Sequence, residues 1–188
     1  GITGGGIAIG AAYDFDNGFT MAAGAQFTES GIATDETDDS YAVNAAYISD
    51  SYGVSITYAT IEDSTTGEDN DTYMALNGYY SFDNGLNISA GYEVGDLDDA
   101  LANANETEAY FIGLNGEVGA GELGAAIGTF GVQTEVAGEV PDRMMYEAYY
   151  AYPVNDGMTI TPLVYTIEGA DAADADETGI MVKTSFTF

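Results

Sequence analysis

Residues 178–188, "TGIMVKTSFTF", decide the fold class because apolar and polar side chains alternate strictly up to the last position. Read back from the end in steps of two, one face carries Phe188, Phe186, Thr184, Val182 and Ile180. Lys183 falls on the opposite face. A period of two is the signature of a β-strand. The aromatic tip is unusual, since soluble domains tend to end in frayed polar residues.

The same alternation recurs along the whole chain, and helical periodicity is absent. In "YGVSITYAT", for example, Tyr52, Val54 and Ile56 share one face. The pattern predicts eleven strands. They lie near residues 6–13, 18–28, 41–49, 52–61, 72–82, 85–94, 108–118, 122–131, 144–152, 157–167 and 178–188.

The connections between these strands alternate between short and long. The short ones, such as "YDFDNGF", "SFDNGL" and "PVNDGM", contain Asn-Gly or Asp-Gly pairs, which supply the positive φ of two-residue hairpin turns. The long ones are acidic and hold most of the 32 acidic residues. Short turns at one end and long loops at the other are typical of an outer-membrane β-barrel.

The two faces of the predicted strands differ in polarity. In "GLNISAGYEVG" one face carries Leu86, Ile88 and Tyr92, and the other carries Glu93. The same parity places Glu117, Glu147 and Lys183 on the polar faces of their strands. We therefore predict that these four charged residues line a water-filled lumen, while the apolar faces meet lipid and aromatic strand tips form interfacial girdles. Both faces of "MTITPLVYTI" are partly apolar, so its orientation stays open.

Composition excludes several classes of function. The formal net charge of −30, with Arg143 and Lys183 as the only basic residues, argues against nucleic-acid binding. The chain has no Cys and no His, which removes disulfides, thiolate metal sites and the commonest general base. No run of apolar residues is long enough for a transmembrane helix. We expect no enzyme activity, no catalytic residue and no cofactor.

Two motifs have a chemical reading beside a structural one. "GAGELG" at residues 119–124 matches a dinucleotide-binding pattern, but a Gly-rich strand follows it where that fold needs a helix, so we predict a turn. The acidic clusters "DETDD", "EDND" and "DAADADE" lack the spacing of a calcium-binding loop. We interpret them as solvated loop charge and predict no metal site.

The stretches "YAYPVNDGMTITPLVYTIEG" and "DETGIMVKTSFTF" resemble the C-terminal hairpin and final strand of cyanobacterial outer-membrane porins of the OprB-like family. In bacterial outer-membrane proteins such an ending looks like the signal that the barrel-assembly machinery recognises, carried here by Ile180, Val182, Phe186 and Phe188. The resemblance implies a homotrimer of sixteen-stranded barrels in the outer membrane of a Gram-negative-type bacterium. Because eleven is an odd number of strands, residues 1–188 would be the C-terminal portion of such a barrel.

The sequence therefore predicts an all-β, antiparallel up-and-down transmembrane β-barrel. We expect a porin for passive diffusion of small hydrophilic solutes and inorganic ions, with a preference for cations and with outer-membrane lipid around it. Three alternatives stay open: the translocator barrel of an autotransporter, an outer-membrane hydrolase, and a soluble acidic β-protein. The first would carry a helix in its pore, the second would need catalysis without His, and the third would stay monodisperse without detergent.

Overall fold

A computed structural model describes residues 4–30, 39–62, 70–96, 106–131, 133–134, 143–169 and 174–187. The described residues form twelve strands. These are β1 (Gly4–Asp14), β2 (Phe19–Ser30), β3 (Ser40–Ile48), β4 (Tyr52–Ile61), β5 (Asp71–Ser81), β6 (Leu86–Asp96), β7 (Glu106–Val118), β8 (Gly121–Thr129), β9 (Gln133–Thr134), β10 (Met144–Asn155), β11 (Met158–Ile167) and β12 (Glu177–Phe186).

The strands form an antiparallel up-and-down sheet, in which each main strand lies beside its neighbour in sequence. The order is β1-β2-β3-β4-β5-β6-β7-β8-β10-β11-β12, and the short β9 pairs with β7. This confirms the predicted all-β class and the eleven main strands. No helix among the described residues is long and apolar enough to cross a membrane.

The chain forms two compact units. Unit 1 comprises Gly1–Asn77, Tyr92–Glu108 and Thr134–Ala137, and unit 2 comprises Gly78–Gly91, Ala109–Gln133 and Gly138–Phe188. Strands β5, β6 and β7 contribute residues to both.

In unit 1 the strand register separates an apolar face from a polar face. Directly paired residues share a face, and Ile7 pairs with Phe27, Val43 with Tyr58, and Tyr47 with Val54. The polar face consists of the intervening residues, which are mostly small: Ala8, Gly10, Ala12, Ala22, Gly24, Ala42, Asn44, Ser55 and Thr57. Small side chains predominate on this face of β1 to β4, and Gln26, Ile48 and Ile61 are the larger residues on it.

Unit 2 has the same division. Its apolar face carries Ile112, Leu114, Leu123, Ile127, Val164, Ile180 and Val182, which the register brings together from four strands, β7, β8, β11 and β12. Its polar face carries Asn115, Glu117, Glu122, Gly124, Glu147, Thr161 and Lys183. A one-residue slip in any pair would move that strand's whole apolar set to the other face.

Exposure in both units is the reverse of that in a water-soluble sheet. Large apolar side chains are exposed, among them Ile7 at 67% and Ile180 at 81%, and Ile167 is the one buried hydrophobic residue among those described. Polar-face residues such as Glu147 and Thr161 are only half-exposed. The apolar side chains therefore do not form a core; they form a surface.

The short turns are closed by Asx side chains. Asn17 Oδ1 accepts a hydrogen bond from Phe19 N at 3.1 Å, and Asn84 Oδ1 accepts one from Leu86 N at 3.1 Å. Gly18 and Gly85, the glycines of these two Asn-Gly turns, have φ of +83° and +82°. These contacts confirm the predicted turn chemistry at both places.

The Asp-Gly turn before β11 differs from the prediction, since Gly157 has no positive φ. The register shifts between Pro153 and Asn155, so that Asn155 pairs with Met158. Asn155 Oδ1 also accepts a hydrogen bond from Gly157 N at 2.9 Å. The bulge changes the direction of the chain here, and the glycine does not have to adopt a left-handed conformation.

Aromatic pairs lie beside the short turns of each unit. In unit 1 the rings of Tyr13 and Phe15 are 4.8 Å apart, centroid to centroid, and in unit 2 the rings of Tyr80 and Phe82 are also 4.8 Å apart. Both pairs have an edge-to-face geometry, which aromatic rings prefer over face-to-face stacking. Their exposed rings are suited to the membrane interface, as aromatic girdles are.

Gly18 and Gly85 provide a matched test of turn strain. A Cβ at Gly18 would fall on the carbonyl oxygen of Ile48, whereas a Cβ at Gly85 would have no atom within 4 Å. Gly85→Ala should therefore lose about 1–2 kcal/mol from its left-handed conformation alone, and Gly18→Ala should lose more. Urea unfolding in detergent micelles measures both losses. Equal losses would show that the contact with Ile48 does not constrain this turn.

Candidate functional site

The polar face of unit 2 brings three of the four predicted charged residues together. Glu117 pairs directly with Glu122, Glu147 pairs with Ala126, and Thr161 pairs with Lys183. Since paired residues, and residues two apart in one strand, share a face, the register places Glu117, Glu147 and Lys183 on the same face of unit 2. That this face lines a lumen stays a prediction.

The register also gives the orientation of β11, which the sequence left open. Leu163 pairs with Tyr149 and Thr161 pairs with Lys183, so both lie on the polar face. Pro162 and Val164 lie on the apolar face. Leu163 is thus an apolar residue on the polar face, which explains why polarity alone does not orient this strand.

Glu93, the fourth predicted residue, belongs to unit 1. It is half-exposed and shares its strand face with the buried Gly91 and Gly95, opposite the exposed Tyr92 and Val94. Beside it, Tyr73 lies against Gly95 together with Thr107, whose buried Oγ1 has no hydrogen-bond partner among the described residues. Glu93 therefore lies on the more crowded face of β6, and its place on a pore wall stays a prediction.

Glu122 is a polar-face carboxylate that the sequence analysis missed. Its Oε2 accepts a hydrogen bond from Asn115 Nδ2 at 2.9 Å, and its Oε1 accepts one from the Tyr149 hydroxyl at 2.8 Å. The predicted strand 122–131 includes Glu122, but "GAGELG" is also interpreted as a turn and Glu122 is not among the predicted lumen-facing charges; in the structure the turn occupies residues 119–120 and β8 begins at Gly121. Leu123, Ala125 and Ile127 share the apolar face of β8, so the residue before Leu123 falls on the polar face. This pattern is the sequence signal that identifies Glu122.

Glu117 and Glu122 place two negative charges directly opposite each other. At a separation of about 5 Å, two unit charges repel by about 0.8 kcal/mol in water. The hydrogen bonds from Asn115 and Tyr149 offset this repulsion, because charge-assisted hydrogen bonds are the stronger kind. The pair is therefore the densest negative charge that the register produces on this face.

Three tyrosine rings lie across glycines of a neighbouring strand. Tyr149 is directly opposite Gly124, and Tyr165 is directly opposite Gly179. A Cβ at either glycine would fall on the ring atoms, and the same holds for Gly95 beneath Tyr73 in unit 1. The missing side chains let the rings lie along the sheet, an arrangement known to stabilise glycines in β-sheets.

The polar face of β3 and β4 in unit 1 contains a hydrogen-bonded pair. Asn44 lies directly opposite Thr57, and its Nδ2 donates to Thr57 Oγ1 at 2.8 Å and to the carbonyl oxygen of Ile56 at 3.1 Å. Around the pair the residues are Ala, Gly and Ser. The side chains around this pair are therefore small and project little from the sheet.

Carboxylates also mark the ends of strands next to the long loops. Tyr92 donates its hydroxyl to Glu108 Oε2 at 2.9 Å in unit 1, and Tyr146 donates to Glu168 Oε1 at 2.9 Å in unit 2. Arg143 donates from Nε to the carbonyl oxygen of Glu168 at 3.0 Å, and its guanidinium lies 4.9 Å from the Phe130 ring centroid. Tyrosine and glutamate thus pair at the loop end of the strands in each unit.

The predicted assembly signal is partly described. Ile180, Val182 and Phe186 lie on the apolar face of β12 with 81%, 62% and 59% exposure. Phe188 lies outside the described residues, and the acidic clusters "DETDD", "EDND" and "DAADADE" are only partly within them. The parts of the chain that the structure describes hold no group of three or more potential metal ligands.

The sequence matches no family model and no curated protein. Among solved structures the chain is similar to a NanC porin, with a TM-score of 0.51 at 9% identity over 99% of this chain and 94% of that one. It is also similar to a KdgM porin, with a TM-score of 0.50 at 10% identity over 98% and 93%. A KdgM porin in complex with disordered oligogalacturonate aligns at 0.48, with 10% identity over 99% and 94%. The first two show that the fold is porin-like.

Adjacent positions of β12 test the assignment of faces. The chain contains no Cys, so Lys183→Cys and Val182→Cys each introduce a single thiol. In lipid vesicles, a charged water-soluble maleimide should label Lys183→Cys readily and Val182→Cys slowly, because only the first thiol faces water. Mass spectrometry of the labelled protein measures both rates, and equal labelling would contradict the assignment.

Proposed function

We propose that this chain forms the wall of an outer-membrane porin, a water-filled channel for passive diffusion of small hydrophilic solutes and inorganic ions. One observation carries the proposal: large apolar side chains are exposed in both units, and in β4, β6, β8 and β11 the polar face is the more crowded one. Lipid against the apolar face and water against the polar face account for both observations. A β-sheet can cross a membrane when it closes into a barrel, because neighbouring strands then satisfy every backbone hydrogen bond.

The position of Lys183 supports this orientation. Its neighbours Val182 and Thr184 lie on the apolar face. A Lys on the lipid side would destabilise a barrel by about 2–4 kcal/mol at the bilayer midplane, whereas on the polar face its charge stays hydrated. The same argument applies to Glu117 and Glu147, which share its face.

The proposed channel prefers cations. Unit 2 alone carries Glu117, Glu122 and Glu147 on its polar face against Lys183, and the long loops add further acids. Fixed negative charge concentrates cations and repels anions, but only within a Debye length of about 10 Å at 0.1 M salt and about 3 Å at 1 M. The preference should therefore weaken as salt is added.

The proposal also includes the family, the source, the oligomeric state and the assembly pathway of the protein. Residues 150–169 and 176–188 support an OprB-like porin of a cyanobacterium by resemblance, with a homotrimer as the assembled form. The exposed Ile180, Val182 and Phe186 support recognition by the barrel-assembly machinery, with Phe188 completing the signal. The protein then acts by geometry and charge and carries out no catalysis.

A planar bilayer under a KCl gradient near 0.1 M should show a cation-selective reversal potential. The selectivity should shrink near 1 M KCl, and Glu117→Gln or Glu147→Gln should reduce it at low salt because each removes one charge from the polar face. Conductance without salt-dependent selectivity would refute the cation preference. Failure of the reconstituted protein to conduct at all would refute the porin.

A further inference from the structure

Glu122 is held from both sides by neighbouring strands. Asn115 on β7 binds one carboxylate oxygen, and Tyr149 on β10 binds the other. The carboxylate is thus fixed at one place on the polar face of unit 2. An ionised carboxylate has about four acceptor positions, so two remain for water or for the hydration shell of a passing cation.

The direction of Tyr149 follows from the glycine beneath it. Tyr149 is directly opposite Gly124, where a Cβ would fall on the ring. The ring crosses Gly124, which is buried, and the hydroxyl reaches Glu122, two residues along β8 on the same face. Gly124 therefore allows the contact between Tyr149 and Glu122.

Lys183 does not neutralise this carboxylate. Glu122 pairs with Ala151, and the register continues through β11 to Lys183, which is three strands from Glu122. At about 4.8 Å per strand the separation along the sheet is about 14 Å, which exceeds the Debye length of about 10 Å at 0.1 M salt. Glu117, in contrast, is on the adjacent strand and adds to the same negative potential.

We propose that Glu122 is a specificity-determining residue that favours small inorganic cations and the ammonium groups of organic cations over anions. Tyr149 and Asn115 are positioning residues that hold its carboxylate against the wall. The inference rests on the proposed porin function and names a residue that determines its selectivity.

Glu122→Gln should lower the potassium-to-chloride permeability ratio about twofold at 0.1 M KCl and barely at 1 M, since removal of one screened charge acts only at short range. The matched control is Glu108→Gln, which removes a carboxylate that also accepts a tyrosine hydroxyl, from Tyr92, but lies on the strand face of Tyr110 and Ile112. The control should keep the wild-type ratio.

The positioning role has its own readout. Tyr149→Phe removes the hydroxyl and keeps the ring over Gly124, so it should change the permeability ratio in wild type. In the Glu122→Gln background the same change should have no effect, because the residue that it positions is already uncharged. Equal effects in both backgrounds would overturn the positioning role.

Chemical modification of the folded channel changes the charge at position 122 after folding is complete. It therefore separates the effect of the charge from any effect on folding. Glu122→Cys would be the only thiol of the chain. A sulfonate thiol reagent should restore the cation preference, and an ammonium reagent should lower it further. If the channel conducts but neither reagent changes its potassium-to-chloride permeability ratio, the inference about Glu122 is wrong and the proposed porin function is unaffected. A wild-type protein that does not conduct would overturn both.

Discussion

The fold depends on what covers its apolar face. Cross-strand pairing satisfies the backbone, but among the described residues Ile167 is the one hydrophobic side chain that is buried. In water such a sheet would expose far more contiguous apolar surface than soluble proteins tolerate. Lipid removes this difficulty without any change in the sheet. The solvent therefore takes the part that a hydrophobic core takes in soluble domains, and the polar face is left to carry function.

Much of this architecture was predictable from the sequence because a period of two is a local property. Eleven strands, the Asn-Gly turns at Gly18 and Gly85, and the faces of Glu117, Glu147 and Lys183 all follow from residues close in sequence. The orientation of β11 was not predictable, since Pro162, Leu163 and Val164 are consecutive apolar residues that break the alternation. Only pairing with β10 and β12 resolves it.

The features that the sequence analysis did not predict have a common physical cause. Glu122 lies at the boundary of a Gly-rich turn and a strand, and only its pairing with Glu117 shows that it is already part of the sheet. Gly157 has turn chemistry, but a bulge at Asn155 accommodates the reversal. The contact between Tyr149 and Glu122 joins residues 27 positions apart, and no local pattern in the sequence records it.

The tyrosines that lie on glycines have a consequence for how these positions change over evolutionary time. The ring of Tyr149 fills the space that a side chain at Gly124 would occupy. Tyr165 and Gly179 have the same relationship. A bulkier residue at the glycine is tolerated only when the aromatic partner becomes smaller. Such positions should vary as linked pairs among relatives, and the pairing of neighbouring strands should be readable from that covariation alone.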